Sequence, residues 1–425
     1  MKKQWISILI VGMAMGTSWA IRGQFGHEQG AAWAGGIGAL SLILVSKRKD
    51  WYSKIMLIAL SSAIGWGAGG MISYGVVVGY GRSVDLFNAF YGLLMLFVIG
   101  GLFGLLGGGL VGLTLESSKQ KRVKWSVLIA EMVAGGLIIY YFLIEQLGWL
   151  MTPPRSEAWA ICLGAGLAMI WYMARNNYHP ALRVALFSSM GAGFGFAFGN
   201  FLQILGNVLE IDFNMWNVME YSIGFFSGSS MAYGVFSSKW PEEIAVPKRW
   251  ENKTAFLIVF VLIPLTVYIE SPRLYQTLLG KAGDLQNPDN ISLIGSLTSL
   301  IAWIAVALIS WVKTMKSKKS IGRKEVWLLF VLYLSAYIIS SYCVTGVFKG
   351  LFMLNHHLYV VNFIVVLILL WKRFPACFED TVSDFRSKTG MLYLIVLVTV
   401  ILLLALIAIN IHGEMGGAHM RFPSN

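Results

Sequence analysis

Charge is what this sequence lacks most: only 13% of its 425 residues are Asp, Glu, Lys or Arg, against 57% hydrophobic. Soluble domains carry about 25% charged residues, so a single soluble globular domain is excluded. Cysteine is scarce too. Cys162, Cys343 and Cys377 are too few for a disulfide scaffold. The six histidines include no His-x-x-x-His pair and there is no Cys-x-x-Cys, so metal-ligand spacing is missing and neither metal nor other cofactor is expected. The Gly-x-x-x-x-Gly-Lys phosphate loop, the Gly-x-Ser-x-Gly nucleophile turn, His-Glu-x-x-His and a haem-attachment motif are also absent.

What the chain has in abundance is apolar sequence in long runs. A helical membrane span needs about 20 mostly apolar residues. Thirteen segments qualify, near 5–24, 29–46, 55–79, 88–115, 125–147, 157–174, 183–206, 215–237, 254–270, 291–312, 326–348, 355–371 and 390–411. The expected fold is therefore an all-α polytopic integral membrane protein of about thirteen transmembrane helices, with the lipid bilayer as its first partner. Lys2 and Lys3 before an apolar stretch ending at Ser18-Trp19-Ala20 resemble a signal peptide, but a later counterpart of the segment reads it as a span.

The net charge of +12 is a topology signal rather than a nucleic-acid footprint. With the N-terminus cytoplasmic, 26 of the 33 Lys and Arg fall in inner loops, including Lys47-Arg48-Lys49 and Lys119 to Lys124. The outer side holds Arg22, Arg82, Arg155, Arg273, Lys281, Lys349 and Arg421. That asymmetry places the N-terminus inside and the C-terminus outside a bacterial-type inner membrane. Five of the six histidines and eleven carboxylates share the outer, periplasm-facing side.

An offset of 126 residues brings the first half of the chain onto the second. Trp33 falls on Trp159, and Phe87-Asn88 on Phe213-Asn214. Ser62-x-x-Gly65-x-Gly67-x-Gly69 falls on Ser188-x-x-Gly191-x-Gly193-x-Gly195. The chain divides into a first four-helix repeat (1–124), a second (125–249) and a five-helix C-terminal segment (250–425). Four spans return the chain to its starting side, so the repeats run parallel and a pseudo-two-fold axis along the membrane normal is expected.

Glycine marks two kinds of position. Gly100, Gly104, Gly108 and Gly112 recur every fourth residue, leaving one helix face bare for close helix packing. The glycines of the two Ser-x-x-Gly-x-Gly-x-Gly copies do not fall on one face; they strip about two-thirds of the helix circumference. Glycine-interrupted segments at matching places in two halves point to an unwound, substrate-binding backbone, or to a crowded helix crossing. Pro264 predicts a kink in the ninth span.

Ionisable groups near hydrocarbon need a reason. The densest cluster is Arg22-Gly-Gln24-Phe-Gly-His27-Glu28-Gln29-Gly30, a glycine-rich turn at the outer edge, with Glu28 at the start of a helix. The equivalent corner of the second copy carries Arg155 and Glu157 without strict matching. Glu145, Glu220 and Glu270 lie at or just inside span ends, Asn200 and Asn217 near two others, and Glu131 sits two turns into the fifth span. Trp19, Trp33, Trp149, Trp159 and Trp216 read as an interfacial aromatic belt, or as sugar-stacking surfaces.

Two function classes fit these features. The first is a secondary carrier of a small polar or anionic solute, sugar-like and proton-coupled. It would bind substrate through Ser62, Gly65, Gly67, Ser188, Gly191, Gly193 and Asn200, with Glu28 and Glu220 as gates or coupling groups and Arg155 and Glu157 in reach. The second is a membrane-embedded enzyme acting on a glycan or lipid-linked substrate, with Glu28 as acid/base, His27 as its proton partner and Arg22 as an anion clamp. Nucleic acid is not an expected partner, and the sequence is silent on oligomeric state.

Overall fold

A computed structural model of the chain describes residues 4–269, 288–316, 320–344, 351–371 and 387–423. It is 81% helical with no strand among the described residues, so the chain is all-α. The helices are α1 (Gln4–Arg22), α2 (His27–Ser46), α3 (Ile55–Gly69), α4 (Gly75–Gly81) and α5 (Leu86–Glu116). Next come α6 (Trp125–Gln146, its last turn a π turn), α7 (Glu157–Arg175), α8 (His179–Val208) and α9 (Met215–Phe236). The remainder are α10 (Arg249–Ile269), α11 (Pro288–Trp311, extended by a π turn), α12 (Arg323–Val344), α13 (Leu351–Trp371) and α14 (Ser387–Ile411). A single helical turn, Lys49–Tyr52, joins α2 to α3.

Eleven of these helices are long and apolar enough to cross a membrane. The expected third and eighth spans are the two that fall short. Residues 55–79 do not form one helix: α3 stops at Gly69, and the chain leaves helical geometry before α4 begins at Gly75. Helix α9 is 22 residues long, but Asn217, Glu220, Ser222, Ser227, Ser229 and Ser230 dilute its apolar content. It lies inside the protein, against α1 and α8.

The longest helix interface, α5 on α8, is built by missing side chains. Gly100, Gly104 and Gly108 of α5 lie on Ala192 and Ser188 of α8, and Gly112 lies on Ala181. A Cβ at Gly104 would stand 2.1 Å from the Ser188 carbonyl oxygen, so nothing larger than glycine fits. Backbones approach this closely only where both surfaces are small.

The alternating glycines have the same cause, doubled. In α3, Gly65 and Gly69 face α5, where a Cβ would meet the Leu106 carbonyl at 2.5 Å and Phe103 at 2.7 Å; Gly67 faces Ala32 and Glu28 of α2. In α8, Gly191 and Gly195 face α9, while Gly193 faces Phe97 of α5. Each helix is clamped between two neighbours, and glycine at every second position bares both faces. The expected unwinding is not found: α8 runs unbroken from His179 to Val208, and α3 is helical through Gly69.

Packing within helix pairs recurs along the chain. Helix α1 packs on α2 as α6 packs on α7, and α3 runs along α5 as α8 runs along α9. Between pairs the pattern differs: α2 lies along α3, whereas α7 only brushes α8. The α6–α7 hairpin therefore stands at the flank, with Ile129, Val133, Leu137 and Phe142 exposed. The C-terminal helices dress the other sides, α12 against α2, α13 against α1 and α14 against α5 and α8.

Pro264 behaves as its chemistry requires. Proline has no N–H to offer the carbonyl four residues back, and that carbonyl, of Phe260, accepts the Trp303 indole N–H at 3.0 Å instead. The same stretch, Ile258–Leu262, forms a π turn, and the Val259 carbonyl accepts the Tyr333 hydroxyl at 2.6 Å.

The aromatic-belt reading needs correction at three positions. Trp149 and Trp216 are exposed, but Trp19, Trp33 and Trp159 are buried. Trp33 stacks on Tyr337 at 4.3 Å, and Trp19 meets Trp66 edge-on at 5.5 Å. Cys377 and Glu270 lie outside the described residues.

Candidate functional site

Helix α1 ends at Arg22, and its last turn aims the guanidinium into the protein rather than out of it. The turn that follows is tight. Gln24 and Phe25 donate backbone N–H groups to Ile21 and Arg22, and Gly26 takes φ 94°, which disfavours any side chain. Gly30, on the first turns of α2, lies on Arg22 itself; a Cβ there would reach 2.7 Å from the Arg22 side chain.

Arg22 is wholly buried, and Glu220, on the second turn of α9, is 6% exposed. The Arg22 Nη2 donates to Glu220 Oε2 at 2.8 Å and Oε1 at 3.0 Å, and Nε to Oε2 at 3.2 Å. Tyr74 comes from the non-helical link after α3; its hydroxyl accepts from Arg22 Nη2 and donates to Glu220 Oε1. The break at Gly69 thus delivers the third member of the cluster. Nδ1 of His27 stands 3.3 Å from Arg22 Nη1, and the Trp19 ring lies 5.1 Å from the guanidinium carbon. A charge pair this deep loses its hydration, and dense hydrogen bonding is the compensation.

A second tier of polar groups ties this cluster to the C-terminal helices. Ser341 donates to Gln24 Oε1 at 2.7 Å, and Gln24 donates to the Tyr359 hydroxyl at 3.4 Å. Asn217, one turn before Glu220, donates to the same hydroxyl and to the Ala20 carbonyl at 3.1 Å. His356, buried, lies 3.0 Å from the Ser341 carbonyl through Nε2, which must carry its proton to donate there.

Of the residues singled out in the sequence, Arg22, His27 and Glu220 converge. Glu28 does not join them: it forms a half-exposed ion pair with Arg155 at 3.1 Å. Glu157 is exposed at the start of α7. Ser62 is buried and donates to the Gly35 carbonyl at 2.7 Å, and Ser188 lies in the α5–α8 crossing. Gly65, Gly67, Gly191 and Gly193 are crossing contacts. Asn200 is buried against α4, donating to the Val78 carbonyl at 3.4 Å and to Gln203. Glu131 pairs with Arg175 at 2.6 Å.

Tyr74 and Tyr359 were missed by sequence reading. Tyr74 carried a signal, a polar-tipped ring four residues beyond the Gly69-Gly70 pair in a segment too irregular for one helix. Tyr359 carried none, because a tyrosine in an apolar helix is ordinary.

A large cavity lies elsewhere. It measures about 700 Å³ and lies between α3, α5, α6 and α7, with Lys54 and Arg122 at one end. That is the opposite end of α3 from Tyr74. Among the described residues no group of three His, Cys, Asp or Glu stands close enough to hold a metal ion. No family model, curated protein or solved structure matches the chain.

Proposed function

We propose that the chain is a secondary carrier of a small polar or anionic solute, with the Arg22–Glu220–Tyr74 cluster as its outer gate and coupling group. The observation that carries this reading is the burial of an Arg–Glu pair joining α1 of the first repeat to α9 of the second. Buried ion pairs are poor stabilisers, since burial costs about as much as the pair returns. Charges at membrane depth mark ion or substrate paths more often than scaffolding. A pair that parts when the repeats move apart would expose a cation and a carboxylate to an entering solute.

The finer topology belongs to the same proposal: thirteen spans, N-terminus inside, two parallel four-helix repeats and a five-helix segment. Recurrence of the α1–α2 and α3–α5 pairings in α6–α7 and α8–α9 supports the repeat. The unlike contacts between pairs argue against a strict pseudo-two-fold. The enzyme reading draws less support, because Glu28, its acid/base, faces Arg155 and not Arg22.

The test is uptake by proteoliposomes holding the full chain, offered labelled sugars, sugar phosphates and carboxylates under an imposed pH gradient. The reading expects at least one solute to accumulate above protein-free vesicles. Accumulation of none, at either gradient polarity, overturns it.

A further inference from the structure

The 700 Å³ cavity has a chemistry of its own, independent of the carrier reading. It exists because α6 packs chiefly on α7, leaving the facing wall of α3 and α5 uncovered. The wall is apolar, with Leu57, Leu60, Ile64, Leu106, Ile129 and Met132 prominent. Its polar side chains are satisfied within the wall: Ser61 bonds Thr114 Oγ1 at 2.6 Å, and Cys162 donates to the Ala68 carbonyl at 3.5 Å. Such a cleft offers water almost nothing.

One end is different. Lys54 is 2% exposed, and its ammonium donates to the carbonyls of Thr114, at 3.1 Å, and Ser117. An ammonium has three donors, so one remains. Arg122 lines the same end and is exposed. The one acid on the lining, Glu251, is occupied by the Lys248 backbone N–H at 2.6 Å. From Lys54 the lining follows α3 to Ala68, and α3 at 1.5 Å per residue is about 20 Å long. Half the hydrocarbon core of a bilayer is about 15 Å. A cationic mouth over a dry cleft one leaflet deep fits one class of ligand.

We propose that this cleft holds a hydrocarbon chain of an anionic phospholipid, with Lys54 and Arg122 meeting its phosphate. A soluble phosphate would use the mouth and leave the cleft empty; a zwitterionic lipid would fill the cleft but bring its own cation to the mouth.

The experiment is native mass spectrometry of the full chain in detergent, titrated with phosphatidylglycerol, phosphatidylcholine or inorganic phosphate. Phosphatidylglycerol should bind in preference to phosphatidylcholine. Arg122→Gln should weaken it by about fivefold, the worth of one basic residue at a lipid headgroup. Ala165→Phe, which narrows the cleft away from the charges, should lower occupancy by both lipids, and inorganic phosphate should not displace phosphatidylglycerol. Equal binding of the two lipids, wild-type affinity in Arg122→Gln, or displacement by phosphate overturns the proposal. Arg122 is exposed, so its variant decides the matter even where Ala165→Phe fails to fold.

Discussion

Arg22 and Glu220 lie 198 residues apart and share three hydrogen bonds of 2.8 to 3.2 Å inside the protein. Removing one partner leaves a buried charge alone, which costs about 3–5 kcal/mol. Glu220→Ala and Arg22→Ala should each lower thermal stability in detergent strongly. The double variant should lose less than their sum. Strict additivity in that cycle would deny the coupling.

Tyr74 bonds both members of the pair, so Tyr74→Phe should cost about 1–3 kcal/mol, the range for a buried polar group losing its partner. The cost should shrink in the Arg22→Ala background. Denaturation midpoints in the two backgrounds test this directly.

The Trp303–Phe260 bond exists because Pro264 has no N–H. Trp303→Phe should destabilise the protein by about 1–3 kcal/mol in the native background. With Pro264→Ala also present, the restored N–H can serve the Phe260 carbonyl, and the penalty should fall. An equal penalty in both backgrounds would refute that account.

At Gly104 a Cβ meets backbone at 2.1 Å, whereas around Gly75 nothing lies within 4 Å. Gly104→Val should abolish folded protein, and Gly75→Ala should be tolerated. Yields of monodisperse protein on gel filtration compare them.

Lipid binding should fall with pH. Burial depresses the Lys54 ammonium to about 8, against the opposing pull of Asp50 and with a smaller push from Arg48. Below that value Lys54 carries its charge and attracts phosphate; above it the amine is neutral. Arg122 and Glu251 line the same end. Phosphatidylglycerol affinity should therefore drop between pH 7 and 9, with a bound phosphate moving the midpoint upward. A flat profile would contradict Lys54's role.

The fold class was legible because spans announce themselves by length and apolarity. The Gly100 to Gly112 face was legible too, since a bare helix face has one physical use. The alternating glycines misled, because a helix clamped from two sides and an unwound helix strip the same positions. At the site, Arg22, His27 and Glu220 could be singled out as ionisable groups near hydrocarbon. That Glu220 rather than Glu28 would meet Arg22 could not: their pairing depends on how α1 and α9 pack. The lipid cleft left no sequence trace, since it is made by a contact that α6 does not form.

The carrier reading stands most directly on uptake by Glu220→Gln, which keeps the side chain's shape and removes its charge. With folded protein matched to wild type by gel filtration, the account expects solute accumulation in wild-type vesicles and none in the variant at any pH. Accumulation by Glu220→Gln with wild-type rate and unchanged pH dependence would contradict it.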